Sequence, residues 1–320
     1  MVNFDSFEKV TEAEWRAKID KDLKGKAVAS DYKYNISEGI EVTPFTTDFE
    51  SKYEINCHFP AQSKVGVRIL LSSLNQNDEL LNLLSLGAEV VAIEVDIKSD
   101  FSIILEGVFL DLIDLVLITQ DDILVAKYKL GMYIQSSGQK PPKSITYTSK
   151  SKVDLLDNEL FVDGDQSFSE RLLHFHRKVI NSIHHKNNDD LIVKLTLKPD
   201  FYAQIAELRV MRKIFHKEVS QHGSQIGIKI LTFIDSASID KVMHPMIGAN
   251  YLLLSSKFGS ADMSFGFSED SGHDLIRLSL HAQNIYNLES NLNKVTDPWA
   301  GSYTLESMTE AMLDFIYEQK

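Results

Sequence analysis

The sequence predicts an α/β fold in which a parallel sheet is covered by helices, and three observations predict it. Compact, β-branched apolar runs of strand length recur from Ser63 onward. Stretches with helical spacing separate them, and connections of that size join parallel neighbours whose two faces are both buried. At least five such runs fall within about 190 residues, which suits a closed barrel or an open doubly wound sheet equally well, because periodicity does not distinguish the two.

Taken in order, Thr11-Glu12-Ala13-Glu14 has the form of a capping box and opens a short helix to about Leu23, with Gly25 stopping it. From Ala27 to Pro60 the chain places Tyr32, Tyr34, Ile36, Val42, Pro44, Phe45 and Phe49 among polar residues, and it reads as an extended arm with little core of its own. Such an arm lies either over its own domain or across another chain. Val65 to Leu71 is a strand-like run, and leucines 80, 81, 83, 84 and 86 place a helix over Asp78 to Leu86, ended by Gly87. Val90 to Val95 then completes a β-α-β unit. Leu115 to Ile118 is a further short strand, whereas Asp121 to Ser151, with Pro141-Pro142 and a Gly-Ser-rich loop, gives no clear register.

Ser167-Phe168-Ser169-Glu170 is a second capping box, opening a helix to about Ile183. Leu191 to Leu197 reads as strand, Phe201 to Val219 as helix and Ile226 to Ile234 as strand. Ile239 to Met246 looks helical and Tyr251 to Leu254 looks like a buried strand. Asp274 to Leu292 and Ser307 to Gln319 read as closing helices, the second with Ser307 and Glu310 as its capping box.

The composition of the 320 residues, 43% hydrophobic and 25% charged, is that of an ordinary globular chain and excludes disordered, collagen-like and disulfide-stapled classes. With 33 basic and 46 acidic residues the net charge is −13, a field that repels phosphate backbones and anionic lipid, so no nucleic-acid partner is expected. Cys57 is the single cysteine, which rules out intramolecular disulfides and zinc knuckles and points to a reducing compartment. Met1 to Trp15 is too charged for a signal peptide. The most apolar window, Ile103 to Ile118, is broken by Glu106, Asp111 and Asp114, short of the ~20 residues a membrane span needs. The expected location is cytoplasmic, with no membrane insertion.

The sequence carries few marks of chemistry. The Gly25-Lys26 pair has Asp20 where a phosphate-binding loop needs its first glycine, and neither GxGxxG, GxSxG nor HExxH occurs. Glu170 and His174 share a helix face but make an incomplete metal-ligand set, and the adjacent pairs Asp121-Asp122 and Asp189-Asp190 are of the kind that flank loops. His273 lacks the surroundings of an Asp-x-His-x-x-Gly cobalamin motif, because Ser271 and Ile276 stand at the motif's other positions. It reads instead as a residue at a helix start. On the residues alone, no catalytic, cofactor-binding or metal site is expected.

The stretch from Asn284 to Leu313 does carry a long, specific pattern: Asp297-Pro298, Gly301-Ser302-Tyr303, then Glu306 and Thr309. It resembles the signature of the methylmalonyl-CoA mutase family. Asp200-Phe201 through Ile205-Ala206-Glu207-Leu208-Arg209 with Arg212 resembles a helix of the same family, and Trp15, Glu38-Gly39-Ile40 and Pro44-Phe45 resemble the segment leading into its barrel. The residues themselves describe a shaped turn: Asp297 can cap, Pro298 fixes its φ, and Gly301 permits a conformation denied to side chains. They are structural signature residues, Asp297, Pro298, Gly301, Ser302, Tyr303 and Glu306, and none is a catalyst by itself.

The resemblance implies a (β/α)8 barrel of TIM type, complete or degenerate, over residues 61–320, preceded by an N-terminal helix and extended arm over residues 1–60. It also implies an acyl-CoA substrate and, in the family's catalytic chain, a following flavodoxin-like cobalamin domain. The sequence ends at Lys320 after the last barrel-type helix, and the family's glycine-rich substrate segment and Gly-Thr-x-Gln-Asn-Asp strand end are not found at fitting places; Gln76-Asn77-Asp78 matches only by chance. The chain resembles a short form of the small, or β, subunit of the two-chain mutase. The implied partner is the large, or α, catalytic subunit in a heterodimer, with adenosylcobalamin expected on that subunit and none on this chain. The large subunit interconverts methylmalonyl-CoA and succinyl-CoA, a step of propionate metabolism, and the small one stabilises it. The competing expectation is a free-standing acyl-CoA-handling barrel enzyme with a divergent active site.

Overall fold

The structure, a computed structural model, describes residues 10–318 except 29–30, 44–45, 47–48, 54, 56, 61–62, 72–74, 151–157, 185–188, 236–238, 240–243 and 268–271. Helix α1 (Glu12–Leu23) begins with the expected capping box, in which Thr11 and Glu14 bond each other's backbone amides, and Lys24 closes it in the left-handed region. Strands β1 (Tyr34–Ser37) and β2 (Ile40–Val42) then form an antiparallel hairpin turning at Gly39, whose φ is +78°. Ile36, Ile40 and Val42 are buried in the main core. Within the segment expected to be an extended arm, residues 34–42 thus form a hairpin laid on its own domain. Pro44 and Phe45 lie outside the described residues.

Eight parallel strands follow: β3 (Lys64–Ile69), β4 (Val90–Val95), β5 (Asp114–Thr119), β6 (Ser144–Ser149), β7 (Glu159–Val162), β8 (Leu191–Thr196), β9 (Ile228–Phe233) and β10 (Met263–Phe265). Their spatial order is β6-β5-β4-β3-β10-β9-β8-β7, so first pairs with last and every sequential pair but one is hydrogen bonded. Among the described residues only β6 and β7 lack a ladder. Glu159 of β7 bridges that gap, accepting from the Thr148 hydroxyl and the Ser149 amide while holding Lys194, whose ammonium also donates to the Ser149 carbonyl.

The register at this seam is that of a closed barrel. Following the ladders from Val162 through Leu195, Thr232, Ser264 and Val65 leads round to the level of Lys143, next to Ser144. Yet Glu159, just upstream of Val162, meets Thr148 and Ser149, a displacement of about eight residues, as expected for the shear of an eight-stranded barrel. The expected TIM-type fold is present in slightly degenerate form. The β6–β7 connection, residues 150–158, is shorter than the roughly twelve residues a helical crossover uses.

Helices clothe the outside: α2 (Gln76–Ser85), α3 (Phe101–Ile104), α4 (Ile123–Ser137), α5 (Phe168–His184), α6 (Phe201–His222), α7 (Pro245–Phe258), α8 (His273–Leu288) and α9 (Tyr303–Glu318). Ser167 and Glu170 make the second expected capping box, at the start of α5. Helix α6 is capped by Asp200, stopped by Gly223 at φ +62°, and flanked by α5 and α7, with α9 laid over it, which buries it almost all round.

Two expectations are corrected. Tyr251 to Leu254 is not a strand but the middle of α7, because a short apolar run on a helix packed against both neighbours carries no period that separates it from a buried strand. The last helix starts at Tyr303 rather than Ser307; Ser307 faces Thr46, and the Glu310 carboxylate takes the Ser51 hydroxyl and the Lys52 amide. The region from 121 to 150, without clear register in sequence, holds α4 and β6. Of the helix expected over Ile239 to Met246, residues 240–243 lie outside the described residues.

Candidate functional site

Three residues of the sequence signature, Asp297, Glu306 and Thr309, converge on one buried side chain. Arg209, on α6, donates from Nε and Nη2 to Asp297 Oδ2 at 3.2 and 2.9 Å, from Nη2 to Glu306 Oε1 at 2.6 Å and from Nη1 to Thr309 Oγ1 at 3.1 Å. The backbone is shaped for this: Asp297 sits at φ +42° and Gly301 at φ +80°, and the Gly301 amide also donates to Glu306. Ser302 supplies the carbonyl that accepts the Glu306 amide, Tyr303 begins α9 and is half-exposed, and Pro298 is exposed beside Asp297. Burial opposes the Arg209 charge, but the two carboxylates outweigh it and raise its pKa; burial likewise pushes Glu306 up, and Arg209 brings it below the usual glutamate range.

One turn further along α6, Arg212 donates to the Ser260 carbonyl at 2.7 Å and to Asp262 at 2.7 Å. Asp262 Oδ2 in turn accepts the Ile230 amide. Two arginines on one helix therefore fix the turn before α9 and the turn before β10. Sequence reading found Asp297, Glu306, Thr309 and Arg209 as separate pattern positions, and only the fold brings them together.

In a TIM-type barrel, chemistry belongs at the C-terminal mouth of the strands. Here Glu94, near the end of β4 and 1% exposed, takes Arg68 of β3 through Nε at 3.1 Å and Lys150, just beyond β6, at 2.6 Å. Burial raises the Glu94 carboxyl, and Lys150 and Arg68 together outweigh it and hold it below its ordinary value. Beneath this cluster the axis is filled: Phe233 and Phe265 stack at 4.8 Å with 9° between planes, and the Arg68 guanidinium lies over Phe233. Val90, Ala92, Val116, Ile118, Leu231 and Met263 complete the plug. No sequence signal singled out these residues, since each lies in a strand-like run and only closure turns them inward.

Two of the mouth's carboxylates, Glu94 and Glu159, are each engaged with cations. Among the described residues no group of three or more His, Cys, Asp or Glu could hold a metal ion. His176 is instead paired with Glu218 at 3.4 Å and packs edge-on against Tyr317. His273 is the first residue of α8, and its side chain is not among those described. The inward-facing charged side chains at the mouth, Arg68, Glu94, Glu159 and Lys194, include no imidazole or thiolate and do not fit a cobalt ligand set.

Residues 259–319 match the family model described as Methylmalonyl-CoA mutase. The match covers β10, α8, the turn bearing Asp297 and Gly301, and α9, and it supports the mutase family. No curated protein matches the chain. Among solved structures, dihydropteroate synthase (FolP) from Thermus thermophilus is similar at 10% identity and a TM-score of 0.34, over 71% of this chain and 94% of that one. Burkholderia cenocepacia dihydropteroate synthase complexed with 7,8-dihydropteroate is similar at 11% identity and a TM-score of 0.33, over 72% of this chain and 92% of that one. No helix among the described residues is long and apolar enough to cross a membrane.

Proposed function

We propose that this chain is the small, non-catalytic subunit of a heterodimeric adenosylcobalamin-dependent methylmalonyl-CoA mutase. In this reading the large subunit binds the cofactor and interconverts methylmalonyl-CoA and succinyl-CoA, while this chain stabilises it. The observation that carries the reading is a contrast within one barrel: the family signature is kept, as a clamp on Arg209, whereas Phe233 and Phe265 stack inside the barrel with an apolar cluster around them. A chain selected to turn over an acyl-CoA keeps room for the substrate; one selected as a support keeps the packing. A radical rearrangement depends on water exclusion and held geometry, which a rigid neighbouring barrel supplies without touching the reacting atoms.

The test is co-expression with a catalytic mutase chain, followed by size-exclusion chromatography, corrin absorbance and isomerase assay. Expected are a co-eluting pair, and corrin and turnover that accompany the pair only. Isomerisation by this chain alone, corrin bound to it alone, or separate elution of the two chains would each overturn the reading.

A further inference from the structure

On the rim of the barrel, between the hairpin and the N-terminal turns of α6 and α9, lies a cavity of about 380 Å3. Its volume is within the range of small-ligand sites, roughly 300–1,000 Å3. Tyr34, Phe201, Tyr202 and Tyr251 give it aromatic walls, Met308 closes one side, and Asp200 lies among them. Tyr34, Tyr202 and Tyr251 are 38, 45 and 39% exposed, so three tyrosine rings present surface in one place.

Asp200 decides what such a cavity suits. Its Oδ1 caps α6 through the Ala203 amide at 3.2 Å, and its Oδ2 accepts the Tyr34 hydroxyl. Among the described residues no basic side chain is paired with it, whereas the carboxylates of Glu94, Glu159, Asp262, Asp297 and Glu306 each hold a cation. Ring faces attract cations and reject anions, and a carboxylate beside them adds to the same preference. Phe201 and Tyr251 stand 4.7 Å apart with their planes tilted at 41°, and Tyr202 meets Trp299 at 5.9 Å, so the walls are braced from behind.

We propose that this rim cavity binds an organic cation, an ammonium or guanidinium group, with Asp200 as counter-ion and Tyr34, Tyr202 and Tyr251 as its ring faces. The group is supplied either by a small free amine or by a basic side chain of a protein, and both present the same chemistry. The net charge of −13 favours such a visitor over an anion. The proposal does not rest on the subunit reading, because binding is measured on this chain alone.

The experiment titrates the purified chain with choline, with its neutral isostere 3,3-dimethylbutanol, with spermidine and with an arginine-containing pentapeptide. Tyrosine and tryptophan fluorescence and proton-detected NMR shifts give the readout. Saturable binding of at least one cation, at least tenfold tighter than the neutral isostere, is expected. Asp200→Asn keeps the helix cap and removes the charge, and with Tyr202→Leu it is expected to weaken binding at least tenfold, whereas Tyr128→Leu on the far helix α4 leaves it unchanged. Tighter binding of the pentapeptide than of spermidine assigns the source to a protein side chain, and the reverse order to a free amine. Equal binding of choline and the alcohol, no saturation by any cation, or unchanged affinity in Asp200→Asn with its circular dichroism spectrum intact would overturn the proposal.

Discussion

Arg209 is buried with two carboxylates on one guanidinium, and a lost partner there leaves charge without water. Breaking such a buried arrangement costs roughly 3–5 kcal/mol, so Arg209→Met is expected to lower the urea midpoint sharply. Arg209→Lys keeps the charge but loses the planar fork that serves Asp297, Glu306 and Thr309 at once, and should recover only part of the loss. A lysine variant as stable as the parent would show the fork to be dispensable. Lys257 is the opposite case: burial pushes its ammonium down to about 8, against a weaker opposing effect of Glu89. Below that pH both folded and unfolded chains carry the charge and only the folded one is penalised. Between pH 8 and 10 the unfolded chain binds more protons, so stability from this group rises with pH. Lys257→Met is therefore expected to stabilise most at pH 7, its advantage shrinking toward pH 10 in paired urea titrations; an advantage independent of pH would refute the assignment.

At the scale of elements, β3 and β10 approach so closely that a Cβ on Gly66 would lie 2.7 Å from the Phe265 ring and 2.9 Å from the Ser264 carbonyl. Gly66→Ala is expected to cost about 1–3 kcal/mol by overpacking, and less in a Phe265→Ala background. Strictly additive losses in that double-mutant cycle would mean that the ring does not set the spacing. The same pair of strands shows what sequence makes legible. Strands β4, β5 and β8 and helices α5 and α6 are readable because each is a compact apolar run or a capped helix that carries its own signal. Strand β10 is three residues long and β7 opens on a glutamate, so neither has enough period to register, and β6 is rich in Ser and Thr because its inward face meets the seam. Helix α7 misled for the converse reason, since its apolar residues point in every direction. Of the site, the signature residues were visible as a pattern, but the clamp on Arg209 and the pairing at Glu94 depend on contacts across the fold, which no local spacing encodes.

For the whole molecule, closure at β6 and β7 rests on side chains where every other neighbour pair has a backbone ladder. Glu159→Gln removes the charge that holds Lys194 and weakens the junction. Hydrogen exchange followed by mass spectrometry should then quicken in residues 144–149 and 159–162 while β3, β4 and β5 keep their protection. Uniform acceleration throughout the sheet would mean that the junction has no local identity.

That junction also divides the polypeptide in a simple way. Strands β3 to β6 and strands β7 to β10 are each contiguous in the chain, and the two sets meet at the β3–β10 ladder and, at the junction, where Glu159 and Lys194 bond Thr148 and Ser149. A nick between them severs no strand pairing, so the two pieces are natural candidates for reassembly from separate polypeptides. Each would bring four staves of the cask, with Glu159 and Lys194 on one piece and Ser149 on the other to guide the join.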